Sequence, residues 1–349
     1  MALFAKGQIP FHRGVNLTGW FQKDNVEAIN FDQFGIKDFI DIQSLGCDVI
    51  RLPISLHSMT TGEPGYRIDP RFLAYLDSAV NWAERLKIYL IIDNHSFHPT
   101  NATDPAIGEV LNKVWPQLAE RYSNRSEYII YEILNEPHGI SNELWGKVQQ
   151  KAIEAIRAKD KRHTIIVGPS GYNGYNDLAQ MPIYSDRNLI YTFHFYDPFM
   201  FTHQGASWNS PSMVSLKGIP FPYNAATMPK TPSEFAGTWV ENAMNSYPSD
   251  GTVEKVKSLI DIAVKFRDVN KVNVYCGEFG VYIPNSSDAD RVFWYKTVTE
   301  YLNEKSIPWT IWDYKGGFGI FRKGSQEKFE TDLNIPLVKA LGLKPPYLE

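Results

Sequence analysis

The chain has 349 residues, a net charge of −4 with both signs mixed along it, and 14% aromatic residues including 9 Trp and 19 Tyr. It lacks the basic footprint of a nucleic-acid binder and any run of about 18 apolar residues able to span a membrane. At this length it can bury a large core without a disulfide or a structural metal.

The first residues, Met1-Ala2-Leu3-Phe4-Ala5-Lys6, carry no apolar stretch of the secretion type. A first short strand is predicted around Gly14-Val15-Asn16-Leu17. Apolar runs follow at Val49–Ile54, Tyr89–Asp93, Tyr128–Leu134, Thr164–Val167, Leu189–Phe193 and Val272–Tyr275, and a last one at Trp309–Trp312. Between them, residues 72–86, 106–122, 144–159, 253–267 and 291–304 repeat apolar side chains at three- and four-residue spacing, the helix period. Near-continuous apolar strands alternating with helices imply a parallel sheet covered on both faces. Eight such units predict a closed (β/α)8 barrel of the TIM type, within the size range such barrels reach with insertions. Residues 1–349 are accordingly read as a single catalytic barrel domain. The stretch from Pro198 to about Ser249 departs from the rhythm, being rich in Pro, Gly, Asn, Ser and rings with little periodicity. Following strand six, it is predicted to rise from the C-terminal face as an ordered cleft wall carrying Trp208, Phe221, Tyr223 and Trp239. Cys47 and Cys276 sit in apolar runs without metal or redox spacing and are expected to be buried small hydrophobes.

Polar residues at the ends of apolar strands mark the mouth of such a barrel. They are Arg51 in strand two, Asn94 and His95 after strand three, Asn135 and Glu136 after strand four, His194 and Tyr196 from strand six, Glu278 from strand seven and Trp312 from strand eight. Two carboxylates on strands four and seven face each other across that mouth, which is what glycoside hydrolysis requires. One must keep a proton near neutral pH and the other must ionise, so their environments should push the two pKa values apart. Arg51 is expected to hold Glu278 ionised, and Glu136 to lie near Asn135 and His194. A separation of roughly 5 Å, the retaining geometry, is predicted. Pro137 restricts the backbone beside Glu136 and so limits where its carboxyl points.

The segment Tyr131-Glu132-Ile133-Leu134-Asn135-Glu136-Pro137-His138 resembles the acid/base signature of glycoside hydrolase family five. The resemblance continues, in the family's order, at Arg51-Leu52-Pro53-Ile54, Phe193-His194-Phe195-Tyr196-Asp197-Pro198, Gly277-Glu278-Phe279-Gly280 and Trp309-Thr310-Ile311-Trp312, over nearly the whole chain. Phe201-Thr202-His203-Gln204-Gly205-Ala206, followed by Trp208, looks like the bacterial endoglucanases of that family. The resemblance implies that Glu136 is proton donor and later base, and that Glu278 is the nucleophile. It further implies that Asn135 bonds the sugar 2-hydroxyl and that Arg51 and Tyr196 orient the nucleophile. His95 and His194 would line the subsite of the sugar under attack, Trp312 would be its stacking floor, and His203 and Trp208 would touch the leaving-group side.

The expected function is endo-acting, retaining hydrolysis of β-1,4-glucan, without cofactor or metal, by a monomer secreted or surface-bound in its native form. The partner is a β-linked polysaccharide or oligosaccharide, with no nucleic acid and no membrane. An endo-β-1,4-mannanase or a xyloglucanase would share fold and mechanism, and a non-catalytic carbohydrate-binding barrel is the reading from another class. His95-Ser96-Phe97-His98 has a metal-like spacing but no third ligand nearby, and is read as one cleft His and one loop His. A phosphate-handling barrel would want a Gly-rich phosphate loop after strands seven and eight, and in Gly316-Gly317-Phe318-Gly319 an aromatic interrupts the glycines.

Overall fold

In the computed structural model, which describes residues 9–96, 98 and 100–346, the eight apolar runs pair side by side into a closed ring of parallel strands. These are β1 (Arg13–Asn16), β2 (Val49–Ile54), β3 (Tyr89–Asn94), β4 (Ile129–Glu132), β5 (Thr164–Val167), β6 (Leu189–Phe195), β7 (Asn273–Phe279) and β8 (Trp309–Ile311), and β1 also pairs with β8.

Side chains alternate across a strand, and that alternation sorts this barrel into layers. Val49, Tyr89, Ile91, Ile130, Ile166, Ile190 and Tyr275 pack with Phe11 into a small apolar cluster that fills the N-terminal half of the interior. Two residues further along the same strands stand Arg51, Asp93, Glu132 and Thr192, all buried and polar. The opposite parity, including Ile50, Leu52, Leu90, Ile92, Tyr131, Ile165 and Val167, belongs to the larger core beneath the helices. A bulge between Phe193 and His194 brings His194 opposite Glu278 rather than Gly277. Bulges re-aim side chains in this way beside functional sites. At Gly277 a Cβ would meet Thr192 Oγ1 at 2.7 Å and His194 Nε2 at 3.2 Å, so the close strand approach needs glycine.

The helices are α1 (Ile36–Ser44), α2 (Pro70–Leu86), α3 (Ile107–Tyr122), α4 (Asn142–Arg157), α5 (Phe199–Thr202), α6 (Trp239–Asp250), α7 (Val253–Asn270), α8 (Asp288–Glu304), α9 (Phe329–Asp332) and α10 (Ile335–Ala340). Several start earlier than the apolar periodicity implied, because caps set the start. Asp69 caps α2 with Pro70 in its first turn, Ser141 caps α4 and Ser287 caps α8. The β5–β6 connection carries only a 3-10 turn, Tyr175–Gln180.

Residues 198–249 correct one expectation. The stretch is ordered but not aperiodic throughout, since it contains α5 and α6. Phe221 is core rather than cleft wall, buried with Met213, Leu216 and Ile219. Gln204 pins the stretch: its amide donates to the carbonyls of Phe201 and Ile219, and its oxygen accepts from the Ile219 N–H. Cys47 and Cys276 are free thiols, both buried. Among the described residues no helix is long and apolar enough to cross a membrane.

Candidate active site

Arg51 is the hub of the polar layer and is wholly buried. Its guanidinium grips Glu132 with two parallel bonds of 2.8 Å, the bidentate fork that suits a carboxylate. Nη1 donates to Asn16 Oδ1 at 2.9 Å and to Glu278 Oε1 at 2.7 Å. Nη2 also reaches Asn135 Oδ1 at 2.8 Å and Asp93 Oδ2 at 3.0 Å. Burial works against the charge on Arg51, but Asp93, Glu132 and Glu278 outweigh it and keep the group cationic.

Glu278 is held at both oxygens, Oε1 by Arg51 and Oε2 by the Tyr196 hydroxyl at 2.9 Å. Its electrostatics are less one-sided than the pairing with Arg51 implied. Burial is the largest influence and leaves the carboxyl above its ordinary value, with Glu136 adding to the rise and Arg51 opposing it.

Glu136 leaves β4 with φ of 45°, a left-handed conformation uncommon for a residue with a Cβ and found where the surrounding structure imposes it. Its carboxyl oxygen is hydrogen-bonded with His194 Nδ1 at 2.8 Å. Burial drives it up to about 8, against the opposing pull of Arg51 and His138. At neutral pH Glu136 therefore carries a proton.

His194 Nδ1 also lies 3.5 Å from Glu278 Oε2, so one imidazole spans both carboxyls. Burial lowers its pKa to about 4, leaving a neutral ring between them. One ligand-type atom from each of Glu136, His194 and Glu278 falls within 4.8 Å of the others. Oxygens that approach within that bound suit the closely set carboxyl pair of retaining glycosidases, roughly 5–5.5 Å apart, better than the roughly 6.5–9.5 Å of inverting ones. By proximity alone the three could hold a cation. Such an ion would sit beside the Arg51 guanidinium, however, and its ligands are already engaged with Arg51, Tyr196 and each other.

The remaining predicted residues lie around this centre. Asn135 is buried, with Nδ2 3.4 Å from His95 Nε2. His95 Nδ1 is 2.8 Å from Asp93 Oδ2, and the ring stacks on Trp312 at 5.4 Å and 13°. Burial lowers the His95 pKa to about 3. His203 packs face to face on Phe199 at 4.0 Å and edge-on to Tyr196 at 5.0 Å. It is buried, as His194 and Glu278 are. Trp208 is 40% exposed on the rim, edge-on to Tyr282 at 4.8 Å. His98 lies apart on an exposed turn, bonded to Thr100; Phe97, between it and Ser96, is outside the described residues.

Sequence reasoning assigned no role to Asn16, Asp93 or Glu132, three of the groups that surround Arg51. The signal was present, since a charge inside Ile129-Ile130-Tyr131-Glu132-Ile133 must be paired if that strand is buried. Only the closed barrel says with what.

A family model described as cellulase (glycosyl hydrolase family 5) matches residues 13–317. Endoglucanase 3 of Fibrobacter succinogenes is 29% identical over 336 residues, 90% of this chain and 51% of that protein. Endoglucanase C of Acetivibrio thermocellus is 28% identical over 349 residues, 94% of this chain and 98% of that one. The chain thus spans about half the length of the first relative and nearly all of the second. Among solved structures, the endoglucanase Cel5A of the hyperthermophile Thermotoga maritima superposes with a TM-score of 0.78 at 25% identity, covering 95% of this chain and 96% of that one. The same enzyme in complex with cellobiose gives 0.79 at 26%, covering 95% and 97%.

Proposed function

The chain belongs to glycosyl hydrolase family 5, the cellulase family, and from that premise we propose that it cleaves β-1,4-glucan internally with Glu278 as nucleophile and Glu136 as acid/base. The observation that carries this reading is the pair of carboxyls with ligand atoms within 4.8 Å, one gripped by Arg51 and Tyr196 and the other kept protonated by burial.

In the first step a Glu278 oxygen attacks the anomeric carbon while the glycosidic C–O bond breaks. Glu136 gives its proton to the departing oxygen, and a glycosyl ester forms on Glu278. That ester removes a negative charge from the site, which eases ionisation of Glu136. In the second step Glu136 takes a proton from water, the water oxygen attacks the anomeric carbon, and the ester bond breaks to release Glu278. Two inversions leave the configuration retained. In this reading Asn135, held by Arg51 at 2.8 Å, bonds the sugar beside the reacting carbon. Trp312, backed by His95, offers a ring face to it.

Proton NMR of the first product anomer, with Glu136→Gln and Glu278→Gln as controls, tests the reading. Early β product with both variants nearly silent is expected. Early α product would overturn the assignment. The structure of Thermotoga maritima Cel5A with mannotriose favours a second substrate, β-1,4-mannan, at the same site. Reducing-sugar release from carboxymethylcellulose, glucomannan and galactomannan separates the two. The reading also takes the protein to be a monomeric, secreted single-barrel enzyme, and sedimentation with and without oligosaccharide checks the monomer.

A further inference from the structure

Trp239 is the first residue of α6 and remains 43% exposed. A lone exposed ring is ordinary on a protein surface, but this one is fixed at two points. Its indole N–H donates to the Ser210 carbonyl at 2.9 Å, and the ring packs against Phe199 at 6.0 Å and 57°. Phe199 in turn stacks on His203, His203 meets Tyr196, and the Tyr196 hydroxyl bonds Glu278. A row of rings therefore leads from the nucleophile to an exposed indole, along a stretch that also presents Trp208.

We propose that Trp239 is a stacking platform for a pyranose ring of the glucan chain, outside the subsites that contact the two carboxyls. The inference rests on the glucan-cleaving reading above. A pyranose exposes a face of C–H bonds that stacks on an indole. The two anchors already hold the Trp239 side chain, so little rotamer freedom remains to be lost on binding. The Ser210 bond also satisfies its one polar atom, leaving an apolar surface. Such a platform acts only on chains long enough to reach it, so its contribution grows with chain length.

The test compares kcat/KM across a ladder from cellotriose to celloheptaose for the wild type, Trp239→Ala and Trp239→Phe. For Trp239→Ala, the ratio of long-chain to short-chain kcat/KM is expected to fall roughly five- to tenfold, with most of it restored by Trp239→Phe. An equal loss at every length, or none, overturns the platform. A wild type that cleaves no cello-oligosaccharide overturns the glucan reading and this inference with it. Independently of whether Trp239→Ala folds, the wild-type sequence carrying Glu278→Gln can be labelled with 5-fluorotryptophan. The Trp239 fluorine resonance, assigned by its loss in Trp239→Phe, is expected to shift with cellohexaose and not with cellobiose. A resonance that ignores cellohexaose refutes the proposal.

Discussion

The two ends of the barrel each bury carboxylates, and they treat them in opposite ways. At the N-terminal end Asp160 precedes β5 and is buried. It lies 2.5 Å from His163 Nδ1 and accepts from the Tyr131 hydroxyl and the N–H groups of Arg162 and His163. Burial works to raise its pKa, but the His163 side chain and those N–H groups outweigh it and hold the carboxyl at about 2. At the mouth, Asp93, Glu132 and Glu278 crowd around one guanidinium, and Glu136 joins Glu278 through His194. There burial pushes Asp93 to about 7 and Glu136 to about 8. Asp93 Oδ1 has no partner among the described residues. The first cluster is satisfied and serves the fold. The second is over-supplied with acid, which leaves protons in place that chemistry can use.

Four experiments press on that contrast, beginning with the largest effect. Glu278→Gln is expected to lower kcat by at least about 10⁴-fold and Glu136→Gln by about 10²–10⁴-fold, with thermal unfolding scarcely changed. Near-normal turnover in either variant would remove that residue from the mechanism. Arg51→Met strands Asp93 and Glu132 without a cation and is expected to destabilise the fold by about 3–5 kcal/mol, read by urea unfolding. Asp160→Asn is expected to cost about 1–3 kcal/mol while kcat at 25 °C stays as in the wild type; a kcat that drops with it would join the two clusters functionally.

The fourth experiment is a pH series, where the signs differ between the ends. Asp160 titrates in the folded state at about 2, below its ordinary 3.8. Its stabilisation is complete above 3.8 and disappears as pH falls toward 2. Glu136, raised from 4.5 to about 8, favours the fold below 4.5, and that contribution disappears as pH rises through 8. Melting curves should show an acid-side loss, between pH 3.8 and about 2, that Asp160→Asn reduces, and a loss between pH 4.5 and about 8 that Glu136→Gln reduces. kcat/KM should fall above pH about 8 as the free enzyme loses its acid. With β-cellobiosyl fluoride, whose leaving group needs little protonation, that alkaline limb should flatten.

Much of the fold was legible because its signals are local. Each strand core was visible as an apolar run, and α2, α3, α4, α7 and α8 as 3.6-residue periodicity. α6 escaped notice because its residues Trp239–Asp250 include Ser, Asn and Pro248, which hide the period. The shortfall in the site has a different cause. Glu136, Glu278 and Arg51 stood out as polar residues closing or interrupting apolar strands. Asp93, Glu132 and Asn16 carried the same signal, but their importance lies in sharing Arg51, a relation between β1, β2, β3 and β4 that no single strand contains.

From the sequence alone came the residue types and their order: eight apolar strands, the polar residues they end in, and a motif series matching one family. Those depend on neighbours in the chain, where spacing translates directly into which face a side chain takes. The tertiary structure alone decided that the β6 bulge sets His194 between two carboxyls, that Glu278 is raised by burial as well as lowered by Arg51, and that Asn16, Asp93 and Glu132 share Arg51. Each of these depends on distances between segments far apart in sequence and on the exclusion of water between them, and both exist only once the barrel has closed.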